Sequence, residues 1–363
     1  MIFLNTIFNI LDYGAIGDNF TDNTKAIQKA IDLASECNGK VIVPPGKYLT
    51  KSLKLKGKGV TIEGSASWSY RGVGGSVLIL NDENTDCLLD ISGSFGCSII
   101  NLNLTTNFTT NRIIHGIKLH WDKFNGGSEE DTPKIDGCKI CNFSGDGIHL
   151  DHVWCFSIRH SMIAYNKGNG LFINGWDCFI LDNWFSYNEG YGLLGGEVLA
   201  SISLTGNRVE WNKKGGFKIP FGDSFNITSN FFDRGEGPAI DLGGEKPVSL
   251  ATITSNIFRR PGASKNPINE FDSCHLRLNN CTNITVTSNT MRLGRNDGGG
   301  GILSPNYGLV IRKCTNCIIT NNTMYKSVLK ELIVLDNNKD CIIENNIGSI
   351  SDESFTTGSE LLN

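Results

Sequence analysis

The sequence predicts an all-β protein built as a parallel β-helix, a solenoid of stacked coils. The first signal is one asparagine position that recurs at intervals of 23 to 33 residues through the second half of the chain. Because a unit this short cannot bury its own apolar face, successive units are expected to stack and share one core. The recurring position holds Asn183, Asn207, Asn230, Asn256, Asn289, Asn322 and Asn346.

Apolar residues keep a fixed distance from this asparagine in every unit, which is the second signal. Side chains two apart on a strand share one face, so these residues predict inward-facing strands in each coil. Ser161 occupies the same place one coil before Asn183. The position three before this ladder position holds Ile158, Ile180, Leu204, Ile227, Ile253, Val286, Ile319 and Ile343. The position two after it holds Ile163, Phe185, Val209, Phe232, Phe258, Met291 and Met324. The asparagine itself then lies at a turn, where amides can hydrogen-bond along the stack.

The composition restricts the partners and the location. The chain has 363 residues, a formal net charge of −4, 19% charged residues and 42 glycines, which suit many tight turns. The charge argues against nucleic acid or an anionic membrane as a partner. We find no run of apolar residues long enough to span a membrane and no features of a signal peptide. We therefore expect a location in the cytoplasm or in a phage virion.

Twelve cysteines raise the question of a metal site. Cys138 with Cys141 and Cys314 with Cys317 have zinc-like spacing, but about 170 residues separate the two pairs. Cys317 also falls in an inward column, where a thiol behaves as a small hydrophobe. The sequence therefore predicts reduced cysteines in the core, no metal and no cofactor.

The N-terminal segment predicts a cap over the open end of the solenoid. A glycine turn at residues 12–18 leads into an amphipathic helix that starts with Thr21 or Asp22 as its N-cap. Residues 40–48 then read as a strand with a proline turn. We predict a cap in residues 1–50, a parallel β-helix in residues 51–350 and a polar tail in residues 351–363.

Three motifs in this cap resemble a known superfamily. They are Asp-Tyr-Gly-Ala-x-Gly-Asp at residues 12–18, Thr-Asp-Asn-Thr-x-Ala-Ile-Gln-x-Ala-Ile at residues 21–31, and Val-Pro-Pro-Gly-x-Tyr at residues 43–48. Together they resemble the N-terminal signature of the pectate-lyase-like superfamily, which includes polygalacturonase-related glycoside hydrolases, phage tailspike depolymerases and alginate C5-epimerases. The resemblance implies a right-handed β-helix and carbohydrate chemistry, but it does not select the reaction.

Two acidic residues three places after the ladder asparagine form the first candidate site. Glu210 and Asp233 fall on neighbouring coils, and adjacent strands lie about 4.8 Å apart. Outward-facing carboxylates at such a spacing suit glycosidic-bond cleavage, with one as acid and the other as base or nucleophile. Asp223 is a third catalytic candidate. The alternative is an ordinary solvated face on which acids and arginines pair across coils.

Aromatic and arginine side chains extend this surface into a predicted substrate groove. Rings on successive coils would form a strip for sugar rings, and guanidinium groups would bind hydroxyls or carboxylates. The predicted groove residues are Tyr165, Tyr187, Trp211, Arg234, Arg259 and Arg260.

A second candidate site lies in residues 146–152, where alternation sends His149 and Asp151 outward, with Lys118 one or two coils earlier. This segment resembles the place where alginate C5-epimerases carry Tyr-Gly-Phe-Asp-Pro-His-Glu. Here Asp146 stands in the place of the tyrosine, His149 in that of the aspartate and Asp151 in that of the histidine. The resemblance implies an alternative catalytic set of His149, Asp151 and Lys118, whereas the structural alternative is a hydrogen-bonded histidine of the fold.

A third resemblance lies in the C-terminal half. The coil at residues 276–281, the glycine-rich insertion at residues 294–305 and the return at residues 308–311 resemble the inulin fructotransferase family, whose trimers use an aspartate and a glutamate. The resemblance places the glutamate at Asp223. The aspartate falls near Lys214 or Gly215, so Glu210 would have to take its role.

These patterns predict an enzyme that cleaves glycosidic bonds of an oligo- or polysaccharide with paired carboxylates, as a glycoside hydrolase or a fructotransferase-like lyase. One alternative is a uronan C5-epimerase or lyase, and another is a non-catalytic carbohydrate-binding or phage tail β-helix. We expect a homotrimer, since trimers are common in the resembling families. An uncharged outward column would suit such an interface; it consists of Phe172, Leu194, Val310 and Ile333.

Overall fold

The fold is a right-handed parallel β-helix, as the repeat and the N-terminal motifs predict. The computed structural model describes residues 6–65, 68–70, 72, 74–120, 132–262, 269–292 and 305–351. The chain divides into two compact units, residues 1–184 and 185–363. Every strand pairing described within either unit is parallel.

The first unit contains helix α1 (Thr24–Ser35), a 3₁₀ helix (Ile10–Tyr13) and short strands that stack coil on coil. The strands are β1 (Ile7–Asn9), β2 (Asp18–Asp22), β3 (Lys40–Val43), β4 (Gly46–Thr50), β5 (Leu53–Lys54), β6 (Gly57–Lys58), β7 (Thr61–Gly64), β8 (Ser76–Leu80), β9 (Cys87–Asp90), β10 (Ser94–Phe95), β11 (Ser98–Ile100), β12 (Asn103–Thr106), β13 (His115–His120), β14 (Lys134–Asp136), β15 (Lys139–Cys141), β16 (Ile148–Trp154), β17 (Ser157–Arg159), β18 (Met162–Ala164), β19 (Leu171–Leu181) and, at the division, β20 (Trp184–Ser186).

The second unit has longer strands that bend from one face of a coil to the next, and a 3₁₀ helix (Glu270–Asp272). Its strands are β21 (Tyr191–Thr205), β22 (Arg208–Glu210), β23 (Gly215–Ile219), β24 (Gly222–Thr228), β25 (Phe231–Asp233), β26 (Ile240–Thr254), β27 (Ile257–Arg259), β28 (Cys274–Thr287), β29 (Thr290–Arg292), β30 (Tyr307–Arg312), β31 (Ile318–Thr320), β32 (Thr323–Val328), β33 (Glu331–Asp336), β34 (Ile342–Glu344) and β35 (Ile347–Ile350).

The predicted inward columns form the core. The residues two after the ladder position are buried from Ile163 to Met324, whereas Gly348, two after the last asparagine, is exposed. Those three before it are buried except Ile343, which is half-buried. Cys138, Cys141, Cys314 and Cys317 are free and buried. Burial is the main cause that raises the pKa of Cys138 to about 12, with the charge of Asp136 adding to it, so this thiol is protonated.

The cap helix forms where the sequence predicts it, but it starts later. Its N-cap is Asn23 rather than Thr21 or Asp22. Asn23 uses its side chain instead to accept from the Ile16 backbone N–H at 2.6 Å, which ties the helix start to the preceding turn. The buried face of the helix consists of Ile27, Ala30, Ile31 and Ala34.

Several segments, among them the predicted insertion and the predicted tail, lie partly or wholly outside the described residues. These are the loop at residues 122–133, the insertion at residues 294–305, the loop at residues 261–271 and the tail at residues 351–363. The division of the chain at residues 50 and 350 stays a prediction. Within the described residues, no helix has the length and apolar character that crossing a membrane requires.

The asparagine ladder is confirmed as a chain of hydrogen bonds. In the second unit, the backbone N–H and the Nδ2 of Asn207 both donate to Oδ1 of Asn230, at 2.9 and 3.0 Å. Asn230 repeats this with Asn256, and Asn256 with Asn289. Each amide therefore satisfies buried backbone groups at a turn that has no strand partner.

Replacing Asn256 with alanine is expected to destabilise the second unit by about 2–4 kcal/mol. The change removes the acceptor of two Asn230 donors and the donor to the Ile227 carbonyl, and each buried orphan costs roughly 1–3 kcal/mol. Chemical unfolding followed by tryptophan fluorescence measures the loss. The exposed Asn226 on the preceding coil is the control, and its alanine variant should change stability by about 0.5 kcal/mol or less. Equal effects at the two positions would contradict a structural role for the ladder.

Candidate active site

The second candidate site of the sequence forms a continuous polar surface on β13, β16 and β19. Lys118 pairs in register with His149, and His149 pairs with Phe172. Two residues further along, His120 pairs with Asp151 and Asp151 with Asn174. The intervening side chains are buried in the core, so strand alternation turns His149, Asp151 and Phe172 outward as predicted, and Lys118, His120 and Asn174 lie on the same face. Lys118 lies on the directly adjacent strand.

Asp146 and His149 form a hydrogen-bonded dyad on this surface. His149 Nδ1 lies 2.8 Å from Asp146 Oδ2, and Asp146 Oδ1 accepts from both the backbone N–H and the Nδ2 of Asn169, at 2.7 and 2.9 Å. Burial raises the pKa of Asp146, but the hydrogen bonds from His149 and Asn169 outweigh it and hold the pKa below its ordinary value. Because the carboxylate carries no proton, His149 Nδ1 must donate, and in the neutral ring Nε2 is left as a proton acceptor.

Two rings hold the imidazole of His149 in place. The centroid of the His115 ring, from β13, lies 4.3 Å from the centroid of the His149 ring. The Phe172 ring, from β19, stacks on His149 with the centroids 4.5 Å apart and an angle of 13° between the ring planes. His149 keeps 25% of its side chain exposed, so the ring is oriented and still open to a ligand. A base whose rotamer and tautomer are both set by neighbours is preorganised for proton transfer.

His115 is neutral at ordinary pH. Its Nδ1 accepts the backbone N–H of Asp146 at 3.0 Å, so its own proton is on Nε2. Burial is the main cause that lowers its pKa to about 4, against an opposing effect of the Asp146 charge. The 3.5 Å approach of His115 Nδ1 to Asp146 Oδ2 is therefore not an ion pair.

A second cluster surrounds Asp151. Its Oδ2 lies 2.9 Å from His120 Nδ1, its Oδ1 lies 2.9 Å from His152 Nδ1, and Asn174 Nδ2 donates to Oδ1 at 2.8 Å. His152 occupies an irregularity between Asp151 and Val153 and has a left-handed backbone, with φ of 59°. This conformation interrupts the in–out alternation of side chains along β16, so the consecutive residues Asp151 and His152 both reach the same cluster. Cα of Gly175 faces the same irregularity, where a Cβ would meet the Val153 carbonyl.

Lys118 and two tryptophans complete this surface. Lys118 Nζ is hydrogen-bonded to Asp86, and that bond raises the pKa of the lysine, so Lys118 stays charged and cannot act as a base. Trp154 and Trp176 pair in register at the far end of β16 and β19, with ring centroids 5.3 Å apart and the rings nearly perpendicular. Both are half-buried. A cation and exposed ring edges on one strand surface suit an anionic sugar chain.

The first predicted site has the expected register but a different environment. Glu210 pairs in register with Asp233, yet only 4% and 1% of these residues are exposed. Glu210 is bound by Arg208 Nε at 2.9 Å, and Asp233 by Arg234 at 2.8 Å and Arg260 at 3.2 Å. The outward-facing carboxylate pair of the sequence prediction is therefore corrected to a buried pair, because guanidinium groups cover both acids.

The predicted aromatic strip is also folded differently. Tyr187 stacks on Trp211 at 5.3 Å and 7°, and the guanidinium of Arg234 lies 4.5 Å from the Trp211 ring centroid. All three residues have left-handed backbones at the same turn, which repeats the side-chain direction from coil to coil. Both faces of Trp211 are thus covered by the protein, so a sugar ring cannot stack on them as predicted.

The other predicted groove and catalytic residues do not converge. Asp223 lies on β24, in register with Ala200 and Ser249, in a different sheet from Glu210. Arg259 pairs in register with Asp233 and is half-buried. Tyr165 belongs to the first unit and is 38% exposed.

The outward apolar column is only partly as predicted. Val310 is buried against Phe271 and Val334 rather than exposed. Ile333 pairs with Leu309, so Val334 is the register partner of Val310. The column is also not uncharged, because Lys218, Asp241 and Arg277 occupy it between Leu194 and Val310. The homotrimer stays a prediction.

Sequence reasoning missed four residues that the structure adds to the sites. Asp146, His115, His120 and His152 were not assigned, and the repeat of His-Asp pairs across β13 and β16 was the available signal. A second asparagine pair was also missed: the backbone N–H and Nδ2 of Asn188 donate to Asn212 Oδ1 at 3.1 and 2.9 Å, five residues after the ladder position.

Together the fold and this polar strand surface define a pectate-lyase-like β-helix protein. The chain belongs to the family described as Rhamnogalacturonase A/epimerase, pectate lyase-like, whose model matches residues 7–215, more than half of the chain. The predicted superfamily resemblance is thereby confirmed, and the relatives include carbohydrate-active enzymes.

One sequence relative and two solved structures illustrate the likeness. Mannuronan C5-epimerase AlgE1 of Azotobacter vinelandii is 25% identical over 202 residues, which cover 53% of this chain and 14% of that protein. The A-module of mannuronan C-5 epimerase AlgE6 from the same organism matches 95% of this chain and 100% of its own, with 14% identity and a TM-score of 0.64. DFA-IIIase from Arthrobacter chlorophenolicus A6, without its lid and in complex with GF2, matches 98% of this chain and 97% of its own, with 14% identity and a TM-score of 0.64.

The matches cover only a small part of the curated relatives. The chain spans one fifth or less of the length of the curated relatives it matches. The solved structures share its fold.

Proposed function

We propose that this chain is an enzyme acting on an acidic polysaccharide, in which His149 removes the proton from the sugar carbon next to the carboxylate. The observation that carries the proposal is the Asp146–His149 dyad, since a buried ionised carboxylate fixes the tautomer that leaves Nε2 free to accept a proton. Such an acceptor is what epimerisation and β-elimination of a uronan both require.

The chemistry needs a base and positive charge. His149 Nε2 takes the proton, and the electron pair of the broken C–H bond passes into the sugar carboxylate. Return of a proton from water to the opposite face of C5, as the electron pair passes back from the carboxylate, gives the C5 epimer. In elimination the same electron pair forms the C4–C5 double bond and the C4–O bond breaks. The leaving oxygen takes a proton from the imidazolium of His149 or from water, and the chain is left with an unsaturated end. Asp146 stabilises the imidazolium that forms, as carboxylates do in other dyads.

Lys118 is positioned to support the developing negative charge. It is charged, it lies in register with His149, and its Asp86 partner is exposed. A cation aimed at a developing enolate is among the larger contributions to such reactions. Trp154 and Trp176 would hold the flanking sugars. The names of the epimerase relatives agree with this assignment.

The paired-carboxylate mechanism is less well supported as the reaction of this chain. Hydrolysis would need one of Glu210 and Asp233 to reach the glycosidic oxygen and the other to reach the anomeric carbon or a water. Both are covered by arginines, which hold them as ion pairs. Asp223 is too isolated from them to complete a pair.

The experiment is a substrate panel in D₂O with three readouts. The purified chain is incubated with polymannuronate, polygalacturonate, a fructan and a neutral glucan, and each mixture is assayed for ultraviolet absorbance of unsaturated ends, for reducing ends and by NMR. We expect a uronan to acquire deuterium at C5, with new epimer signals or unsaturated ends.

Two outcomes of this panel contradict the proposal. New reducing ends without unsaturation or deuterium would indicate a hydrolase that uses the carboxylates. Binding of a glycan without any product would indicate a non-catalytic binding or tail protein.

A further inference from the structure

We propose that His120, Asp151 and His152 form a binding site for a divalent transition metal, with zinc as its best match. These residues offer two imidazole nitrogens and one carboxylate, and the three ligand atoms lie within 4.8 Å of one another. Two histidines and a carboxylate with an open fourth position are a ligand set that zinc commonly takes.

Both imidazole rings approach the carboxylate of Asp151, one at each oxygen. Nδ1 of His120 lies 2.9 Å from Oδ2, and Nδ1 of His152 lies 2.9 Å from Oδ1. Zinc bonds of about 2.1 Å require ligand atoms roughly 3.4 Å apart in a tetrahedral arrangement. The ligands would therefore have to separate by about half an ångström. His120 and His152 are 56% and 43% exposed, so small rotations of these rings meet little resistance.

The support around the ligands is also present. Asn174, nearly buried, donates Nδ2 to Asp151 Oδ1 at 2.8 Å and fixes the plane of the carboxylate. Hydrogen bonds to a ligating carboxylate are the usual outer support of metal sites. The left-handed backbone of His152 brings its ring to the side of Asp151, which regular alternation would not do.

The neighbouring cluster of His115, Asp146 and His149 fits a metal less well. His115 Nδ1 is occupied by the backbone N–H of Asp146, and Asp146 Oδ1 by two donors from Asn169. A metal there would have to leave a buried N–H unsatisfied, which costs roughly 1–3 kcal/mol.

The position of the site suggests a use. Asp151 follows His149 by two residues on β16, or roughly 7 Å along the strand. A metal at that distance from the base would bind a carboxylate of the acidic chain. This use rests on the proposed function, whereas metal binding itself does not.

The test is calorimetric titration of zinc into the full chain after removal of metals with a chelator. We expect one zinc per chain, and a loss of affinity of about 100-fold or more in His120→Ala and His152→Ala. The Asn174→Ala variant should lose zinc affinity by roughly 10–100-fold, as is usual when a hydrogen-bond partner of a metal ligand is removed. Cobalt(II) absorbance reports the ligand set independently of activity.

Matched controls separate this site from other zinc ligands. His160→Ala removes an exposed histidine that also contacts aspartates, and it should leave affinity unchanged. Cys155→Ser removes an exposed thiol three residues from His152 and should also have no effect. His149→Gln should still bind zinc, which keeps the result independent of the proposed reaction. Absence of saturable binding, or binding lost in Cys155→Ser but kept in His120→Ala, would overturn the proposal.

Discussion

Turnover of a uronan by the His149→Gln variant is expected to be about 10²–10⁴ times lower than that of the unchanged chain. Glutamine keeps the size and polarity of the side chain and can still hydrogen-bond to Asp146, but its amide cannot accept a proton at the required position. The turnover of the Asp146→Asn variant should fall by a similar factor, because an amide no longer fixes the Nδ1–H tautomer of His149. Initial rates on the polysaccharide found in the panel measure both effects.

His160 supplies the control for this prediction. It is exposed and contacts Asp136 at 2.9 Å on the same unit, so it offers the same chemistry away from the candidate site. His160→Gln should retain the full rate. A His149→Gln variant with near-normal turnover and an unchanged melting temperature would remove His149 from the catalytic role.

The Asp233→Ala variant is expected to lose about 3–5 kcal/mol of unfolding free energy. Asp233 is 1% exposed and is bound by Arg234 and by the buried Arg260. Removal of the carboxylate leaves a buried guanidinium without its counter-charge, which is among the most destabilising single changes. Burial already lowers the pKa of Arg260 to about 10, with the charge of Asp233 opposing that effect, so the arginine depends on this partner.

Two further variants decide between a structural and a catalytic Asp233. Glu189→Ala breaks an exposed pair with Lys213 in the same unit and should cost about 1 kcal/mol or less. Asp233→Asn preserves shape and removes charge, so a structural role predicts lower stability with normal turnover in the folded protein. The opposite pattern, full stability with turnover lost, would restore the paired-carboxylate mechanism.

The repeat predicts the fold because its information is local and redundant. Each coil carries the same inward residues and the same asparagine, so one irregular coil does not obscure the pattern. The register of Glu210 with Asp233 follows from the same count, whereas the exact register of Lys118 with His149 does not. Alternation then correctly turns His149 and Asp151 outward.

The site is harder to predict because it depends on which side chains cover one another. Glu210 and Asp233 count as outward, yet arginines from the same and adjacent coils fold over them. The side chain of Asp146 contacts His149, three residues further along the chain, and strand alternation does not predict this contact. The left-handed residue at His152 likewise changes a side-chain direction that the sequence alone leaves regular.

The asparagine ladder of the second unit has a polarity that bears on how such a protein can be enlarged. Every amide oxygen in the ladder faces the preceding coil, as in the step from Asn230 to Asn207, so the amide dipoles are aligned and reinforce one another. A grafted coil that carries asparagine at this position would meet an acceptor on one side and a donor on the other. The coils of this unit are therefore interchangeable modules in the axial direction, and the ladder is the connector that any inserted module has to match.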